Sequence, residues 1–205
     1  MNEPRETVRT SPVMGVDRDA AAAHLEAFLR AIGRDPDGDE ELVDTGRRVT
    51  DAFVDELCRG YAIDARLLLR EAVIAGDAEL VCVRDVFVST TCPHHLMAAT
   101  GKATIAFAPA GRIVGIGTVV SVVEAYARRL VLQEGLGEEI VEAIDAELRP
   151  HWVGCRLVLT HGCMVSRGER AHGSRVETLA LRGFAEGDVS GRLMAHQVLG
   201  VGRSE

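Results

Sequence analysis

Two short segments rich in cysteine and histidine constrain this chain more than any other feature. The first, Thr91–His95, reads Thr-Cys-Pro-His-His, and the second, Thr160–Cys163, reads Thr-His-Gly-Cys. They lie far apart in the sequence, so only the folded chain can bring them together. Thiolate and imidazole groups are ligands that zinc prefers in proteins. We therefore expect both segments to meet around one zinc ion.

The spacing within each segment suits a metal site but leaves its type open. Cys92 and His95 follow a predicted strand, and His161 and Cys163 stand at the end of another. Three ligands from this set with one water molecule would form a catalytic zinc site, whereas four protein ligands would form a structural one. The alternative is a buried cysteine beside a hydrogen-bonded histidine in a turn.

The composition excludes several classes of protein. The chain has 205 residues, a net charge of −8 and no basic run, so we expect no nucleic-acid partner. Its longest apolar runs, such as Ile113–Gly117 and Val119–Val123, are too short to cross a bilayer. The N-terminal residues lack the pattern of a signal peptide, so we expect a cytoplasmic protein without membrane association. The odd number of cysteines, 5, argues against a disulfide framework.

The periodicity of apolar residues predicts an α+β fold. The predicted helices are Asp17–Ile32, Thr45–Gly60, Ala65–Ala75, Val119–Leu132, Glu138–Leu148 and Ser190–Leu199. The predicted strands are Glu79–Ser89, Lys102–Ala108, Arg112–Ile116, Val153–Thr160 and Ser174–Phe184. Hairpins between neighbouring strands imply an antiparallel sheet with helices on one face. The exposed edges of so small a sheet suggest that the chain forms a homo-oligomer.

Further motifs accompany the two metal-ligand segments in a specific order. They are Asp44-Thr45-Gly46-Arg47-Arg48, Ser89–His95, Gly101-Lys102, Tyr126-Ala127-Arg128-Arg129, Gln133-Glu134 and His161–Gly168. By this series the chain, from about Leu42 to its C-terminal region, resembles the GTP cyclohydrolase I family.

This resemblance implies a fold, an assembly and a set of catalytic groups. The family has the tunnelling fold, in which strands from several subunits close a barrel and helices cover its outside. It assembles as a decamer of two face-to-face pentamers with active sites at subunit interfaces. The family's zinc ligands fall on Cys92, His95 and Cys163, and its catalytic histidines fall on His94 and His161.

The substrate-binding positions follow from the same resemblance, and the domains follow from it together with the polar tail and the helical pattern of the N-terminal residues. Glu134, beside Gln133, matches the glutamate that holds the guanine edge, while Arg48 and Arg167 match basic positions of the phosphate pocket. The implied domains are a flexible tail over residues 1–15, an N-terminal helical region over residues 16–76 and a tunnelling-fold catalytic domain over residues 77–205.

The residue types suit hydrolytic opening of the guanine imidazole ring at C8. Zinc lowers the pKa of bound water to about 7, and His94 or His161 can deliver a proton to the ring nitrogen as the C–N bond breaks. A second hydrolysis releases formate, and the ring recloses as 7,8-dihydroneopterin triphosphate. Glu134 can accept hydrogen bonds from guanine N1–H and the 2-amino group together, which selects guanine over adenine.

The sequence departs from the family in the ligand loop and at several positions of the phosphate pocket. Pro93 replaces the usual glutamate of the ligand loop, and Gly117–Ser121 stands where the family carries Ser-Lys-x-x-Arg. Each lost phosphate contact would weaken triphosphate binding by about 1.5–3 kcal/mol. The first hypothesis is therefore a GTP cyclohydrolase, and the alternatives are a cyclohydrolase for a less phosphorylated guanine compound and a non-catalytic pterin-binding homologue.

Overall fold

A computed structural model describes residues 15–202 of the chain. Residues 1–14, which make up nearly all of the predicted tail, lie outside the described range. The chain divides into two compact units between Val54 and Asp55. This division follows from how the residues pack. The boundary predicted after residue 76 separates a helical region from a catalytic domain, and it stays a prediction.

The N-terminal unit contains two helices. The first, α1 (Arg18–Ala31), begins where the sequence predicts, because the Asp17 side chain accepts a hydrogen bond from a backbone N–H of the first turn. The second, α2 (Thr45–Asp51), also begins at its predicted residue. An ion pair of 2.7 Å between Arg47 and Asp19 joins the two helices.

Short helical segments lead into the larger unit. They are a π-helical segment (Ala52–Leu57), a 3₁₀ segment (Arg59–Ala62) and α3 (Ala65–Ala72). Asp64 caps α3 as predicted, by accepting a hydrogen bond from a backbone N–H. The helix ends before the predicted Ala75 because the β-branched pair Val73 and Ile74 favours extended backbone, and β1 (Ile74–Ala75) begins there.

Four antiparallel strands form the central sheet of the larger unit. They are β2 (Val81–Thr91), β3 (Ala98–Ala108), β5 (Trp152–His161) and β6 (Val176–Arg182), in the order β2-β3-β5-β6. A separate two-stranded ribbon pairs β1 with β4 (Arg112–Ile113). In the main sheet Thr91 pairs with Ala98, and the adjacent Ala99 pairs with His161. Both cysteine- and histidine-containing segments therefore leave the sheet at the same end.

Helices pack on both faces of this sheet. The helices α4 (Ile116–Ala127) and α5 (Gln133–Leu148) contribute to the main core together with strand residues such as Ile105. Because side chains alternate along a strand, Ala106 faces the other way, into a second cluster with α7 (Val189–Leu199). The α+β class is as predicted, but the helices are not confined to one face. None of the helices in residues 15–202 has both the length and the apolarity to cross a membrane.

Several further boundaries in the larger unit differ from the prediction: β3 begins at Ala98 rather than Lys102, and α4 covers Ile116–Ala127 rather than Val119–Leu132. Two other differences have local reasons. The predicted strand Arg112–Ile116 stops at Ile113, because Gly115 is the N-cap of α4 and the helix begins at the next residue. The helix α5 begins at Gln133 rather than at the predicted Glu138. Its early turns contain Gly135 and Gly137, poor helix formers that hide the helical pattern in the sequence.

Candidate active site and metal centre

The loop after β2 holds Cys92 and His95 in a closed turn. The Cys92 N–H donates to Met97 O at 2.9 Å, and the Leu96 N–H donates to Cys92 O at 2.9 Å. Pro93 lies inside this turn, where its ring restricts the backbone and no N–H is available to compete. The turn brings Cys92 Sγ to 3.9 Å from His95 Nδ1.

Cys163 reaches the same place from β5. That strand ends at His161, and the chain continues directly into the short helix α6 (Gly162–Val165). A Cβ atom on Gly162 would lie 2.9 Å from Ala98 O of the neighbouring strand, so the tight approach needs glycine. As a result, the Cys163 sulfur lies within 4.8 Å of both ligand atoms of the first loop.

The three side chains fit a metal ion. Two thiol sulfurs and one imidazole nitrogen within 4.8 Å of one another are a set that zinc takes while one position stays open for water. Burial raises the pKa of the Cys163 thiol, and the adjacent Cys92 raises it further. A bound divalent cation would reverse that effect by stabilising both thiolates. The residues predicted as zinc ligands are therefore brought together.

His161 is attached to the beginning of α5 through Gln133. The Nε2 atom of His161 lies 2.7 Å from Gln133 Oε1. On its other side, the Gln133 amide nitrogen donates to Leu157 O and Val176 O at 3.1 and 2.9 Å. Gln133 is 2% exposed. Its bonds tie the start of α5 to β5, β6 and the predicted catalytic histidine.

The other predicted site residues have exposed side chains. The ring of His94 lies 6.2 Å from that of His95, on the ligand loop. Glu134 stands in the first turn of α5. Arg167 follows α6 and is close enough to Cys163 to lower its pKa against the larger effect of burial. Arg48 lies on α2 in the N-terminal unit. The roles of these four residues stay predictions.

The turn between α4 and α5 has contacts with the ligand loop that the sequence did not predict. Leu130 forms a parallel bridge with Thr91, and the Val131 N–H donates to Thr91 O at 3.3 Å. Thr91 directly precedes Cys92, so these contacts place the start of α5 beside the metal ligands. No local pattern in the sequence indicates this pairing.

Arg129 binds the same turn to the 3₁₀ segment and to α4. Its Nε donates to Gly60 O and Ala125 O, each at 3.1 Å, and its guanidinium lies 4.8 Å from the centre of the Tyr126 ring. A Cβ atom on Gly60 would lie 2.1 Å from Ala125 O, so only glycine permits this approach. Tyr126 and Arg129 belong to one of the sequence motifs, but the motif alone predicts no role for them.

Comparisons with known proteins support the resemblance. A model of the GTP cyclohydrolase I family matches residues 21–199. The protein "GTP cyclohydrolase 1 2" of Nostoc sp. is 39% identical over 164 residues, which cover 79% of this chain and 75% of that protein. "GTP cyclohydrolase 1" of Brevibacillus brevis is 34% identical over 181 residues, which cover 88% of this chain and 96% of that protein.

A solved structure, archaeosine synthase QueF-Like in the apo form, aligns with a TM-score of 0.44 and 20% identity over 54% of this chain and 99% of that chain. The family match, in contrast, includes the ligand loop, the turn before α5 and the segment around Cys163. The chain therefore belongs to the GTP cyclohydrolase I family, a family of hydrolases.

Proposed function

We propose that this protein is a zinc-dependent GTP cyclohydrolase that opens the guanine ring at C8, releases formate and forms 7,8-dihydroneopterin triphosphate. The observation that carries this proposal is the convergence of Cys92, His95 and Cys163 within 4.8 Å. His161, a second imidazole, ends the strand that leads to Cys163. The names of the relatives, GTP cyclohydrolase 1, support the choice of GTP.

The metal ligands account for the activation of the attacking water. Cys92, His95 and Cys163 would hold a zinc ion, which makes water available as a nucleophile near neutral pH. His95 is exposed whereas Cys92 is buried. Cys92 therefore lies on the buried side of the site, and His95 lies on the exposed side, from which a substrate would approach.

His94 and His161, the two histidines of the metal-ligand segments that are not proposed metal ligands, supply the proton transfers. Breaking the C–N bond of the guanine ring leaves an electron pair on nitrogen, which must receive a proton. Imidazole suits this step because its ordinary pKa, about 6.5, lies near neutral pH. His161 is held in place by Gln133 at 2.7 Å, and His94 is exposed beside the metal loop. We assign proton delivery to one of this pair.

We assign substrate recognition to charged side chains that match binding positions of the family. The exposed Glu134 carboxylate, in the first turn of α5, can accept hydrogen bonds from guanine N1–H and the 2-amino group, a donor pair that adenine lacks. Arg167 and Arg48 are the proposed phosphate ligands. Gln133 is a further substrate-binding candidate through its position beside Glu134.

We further propose that the chain assembles as a homo-oligomer, a decamer of two pentamers in which strands of neighbouring subunits close a barrel. Within residues 15–202, β2 and β6 each have one partner strand in the main sheet, so each keeps one free edge. Free edges tend to pair with other strands, and a ring of identical chains would pair β2 of one copy with β6 of the next. The active sites would then lie at subunit interfaces.

The test is formate release by the purified protein. The zinc-loaded protein should release formate from GTP and form a dihydropterin, whereas the metal-free protein should form neither until zinc is restored. The double variant His94→Ala/His161→Ala should abolish formate release, while His151→Ala, which removes an exposed histidine at the opposite end of β5, should leave it unchanged. A zinc-loaded protein that releases no formate from GTP would refute the proposal.

A second candidate is a cyclohydrolase for a less phosphorylated guanine compound. The exposed face of α4 presents Ile116, Gly117, Val120 and Ser121, of which Ile116 is 65% and Val120 38% exposed. This face lacks a cation where the resemblance implies Lys and Arg contacts to phosphate. Formate release from GTP, GMP and guanosine at equal concentration separates the candidates. A strong preference for GTP would eliminate the second one.

A further inference from the structure

Gln133 has a polar side chain that is almost completely buried. It is the first residue of α5 and is 2% exposed. A buried amide needs acceptors for its N–H groups and a donor for its oxygen. The neighbours of Gln133 therefore determine which way its amide is turned.

Three oxygen atoms surround the amide nitrogen. Gln133 Nε2 lies 3.1 Å from Leu157 O, 2.9 Å from Val176 O and 3.1 Å from Thr178 Oγ1. Carbonyl oxygens accept hydrogen bonds and cannot donate them. Turning the amide over would place Oε1 against two carbonyl oxygens, so the nitrogen faces β5 and β6 and the oxygen faces His161.

This orientation determines which nitrogen of His161 carries a proton. His161 Nε2 lies 2.7 Å from Gln133 Oε1, within the range of a hydrogen bond. Because the amide oxygen only accepts, His161 Nε2 must donate. The neutral ring then carries its hydrogen on Nε2 and a lone pair on Nδ1.

We propose that Gln133 is a positioning residue that holds His161 in the Nε2–H tautomer, so that Nδ1 is the atom that exchanges a proton with the substrate. The catalytic part of this inference rests on the proposed cyclohydrolase function. Nδ1 first accepts the proton that the attacking water loses, which makes the His161 ring cationic. As the C–N bond breaks, its electron pair goes to the guanine nitrogen, which then takes this proton from Nδ1. The Nε2–H group stays bonded to Gln133 throughout.

This role differs from direct substrate binding by Gln133. The amide is already engaged by His161 on one side and by the two strands on the other. Gln133→Met keeps a similar length but offers no acceptor, so either tautomer of His161 becomes possible and the ring loses its orientation. Removing such an orienting partner typically lowers activity about 10- to 100-fold. We expect kcat to fall by this factor while KM for GTP stays near that of the wild type, whereas loss of a substrate contact would raise KM.

The direct test is the ¹⁵N NMR spectrum of the His161 ring in the zinc-loaded, substrate-free protein, assigned by comparison with His161→Ala. The wild type should show a protonated Nε2 and an unprotonated Nδ1 in the neutral ring, and Gln133→Met should show both tautomers. Gln133→Glu keeps an acceptor oxygen towards His161, and burial favours a protonated second oxygen that donates to Val176 O. This variant should therefore retain the Nε2–H tautomer and lose less kcat than Gln133→Met.

Two results would overturn the inference. One is a wild-type His161 protonated on Nδ1 in its neutral form, and the other is a folded, zinc-loaded Gln133→Met protein with unchanged tautomer and kcat. The NMR measurement needs no turnover. A protein that showed the Nε2–H tautomer but released no formate would refute the proposed function and leave the positioning role of Gln133 intact.

Discussion

The two ends of the central sheet contain the same strands but very different side chains. At one end, which we call the apolar end, Phe107 of β3 is 0% exposed and Trp152 of β5 is 7% exposed. At the other, the ligand end, Thr91 and His161 lead into the two segments that carry the metal ligands. Helices cover both faces of the sheet at the apolar end, whereas the ligand end presents sulfur and nitrogen atoms beside exposed residues.

This difference shows how the chain separates stability from chemistry. Buried apolar area provides most of the free energy that holds strands in register. Charged thiolates and imidazoles are costly to bury without a partner, so they lie where the sheet is open. Strands fixed at the apolar end can thus hold ligands at set distances at the ligand end. Substitutions at the two ends should affect different measurements.

The largest loss of activity should come from the ligand end. Cys163→Ala removes one of three zinc ligands, so zinc content should fall to background and formate release should become undetectable. The unfolding free energy of the metal-free protein should change little, because Cys163 is only partly buried. Metal analysis and denaturant unfolding check both points. Cys82→Ala, a cysteine near the apolar end and away from the ligand group, is the control. Full zinc content in Cys163→Ala would contradict the proposed ligand set.

The largest loss of stability should come from the apolar end. Phe107→Ala leaves a cavity in the main core and should lower the unfolding free energy by about 3–5 kcal/mol. The protein that remains folded should keep its zinc and its activity per folded molecule. Phe87→Ala is the matched control, because Phe87 lies in the adjacent strand but is 68% exposed. If both substitutions lowered the unfolding free energy equally, Phe87 would be buried in the assembled protein, for example between subunits, although it is exposed in a single chain.

Arg129 contributes to both stability and activity, so its replacement should lower both. Arg129→Met removes the hydrogen bonds to Gly60 O and Ala125 O, and bonds from a charged group contribute about 1.5–3 kcal/mol. We expect a loss of unfolding free energy in that range together with lower kcat, because the turn that contacts Thr91 is loosened. Arg128→Met, whose Nε is 4.0 Å from Glu124, serves as the comparison. Normal kcat in a destabilised Arg129→Met protein would show that the turn does not control the site.

Much of this site could be predicted from the sequence because its chemistry is local. Cys92 and His95 are neighbours in one turn, and Cys163 follows a strand with clear alternation, so residue types and spacing were sufficient to predict that they meet. The family resemblance then divided the ligands from the proton-transfer groups. The three donor atoms lie within 4.8 Å of one another, which supports the ligand set, while the proton-transfer roles stay predictions.

The parts that could not be predicted depend on pairs far apart in the chain. Gln133 is bound to Leu157 O, Val176 O and His161, and none of these contacts follows from a periodic pattern. The start of α5 was missed for the same reason, since tertiary bonds stabilise a first turn that its glycines weaken. Register between strands and contacts of buried polar groups are properties of the folded chain.

Glu139 of α5 allows a smaller test that involves neither end of the sheet. Among the described residues, its Oε2 atom is buried without a hydrogen-bond partner, and Arg129 Nη1 lies 3.8 Å away. Burial raises the pKa of this carboxyl group above its usual 4.5, although Arg129 opposes the rise. An acid with a raised pKa in the folded state binds its proton more tightly there, so the unfolding free energy falls as pH rises through the interval between the unfolded and folded pKa values. Glu139→Gln should therefore be more stable than the wild type at pH 7.

The pH dependence distinguishes this explanation from a simple loss of the ion pair. Below the ordinary pKa of 4.5, wild-type Glu139 is protonated in both states, so the advantage of Glu139→Gln should disappear. Unfolding of the metal-free protein by denaturant from acid to neutral pH measures the difference without the titration of bound metal ligands. Glu138→Gln, at an exposed position of the same helix, is the control and should show little change with pH. If Glu139→Gln is instead less stable at neutral pH, the attraction to Arg129 outweighs the cost of burial, and the turn at the ligand end depends on that charge pair.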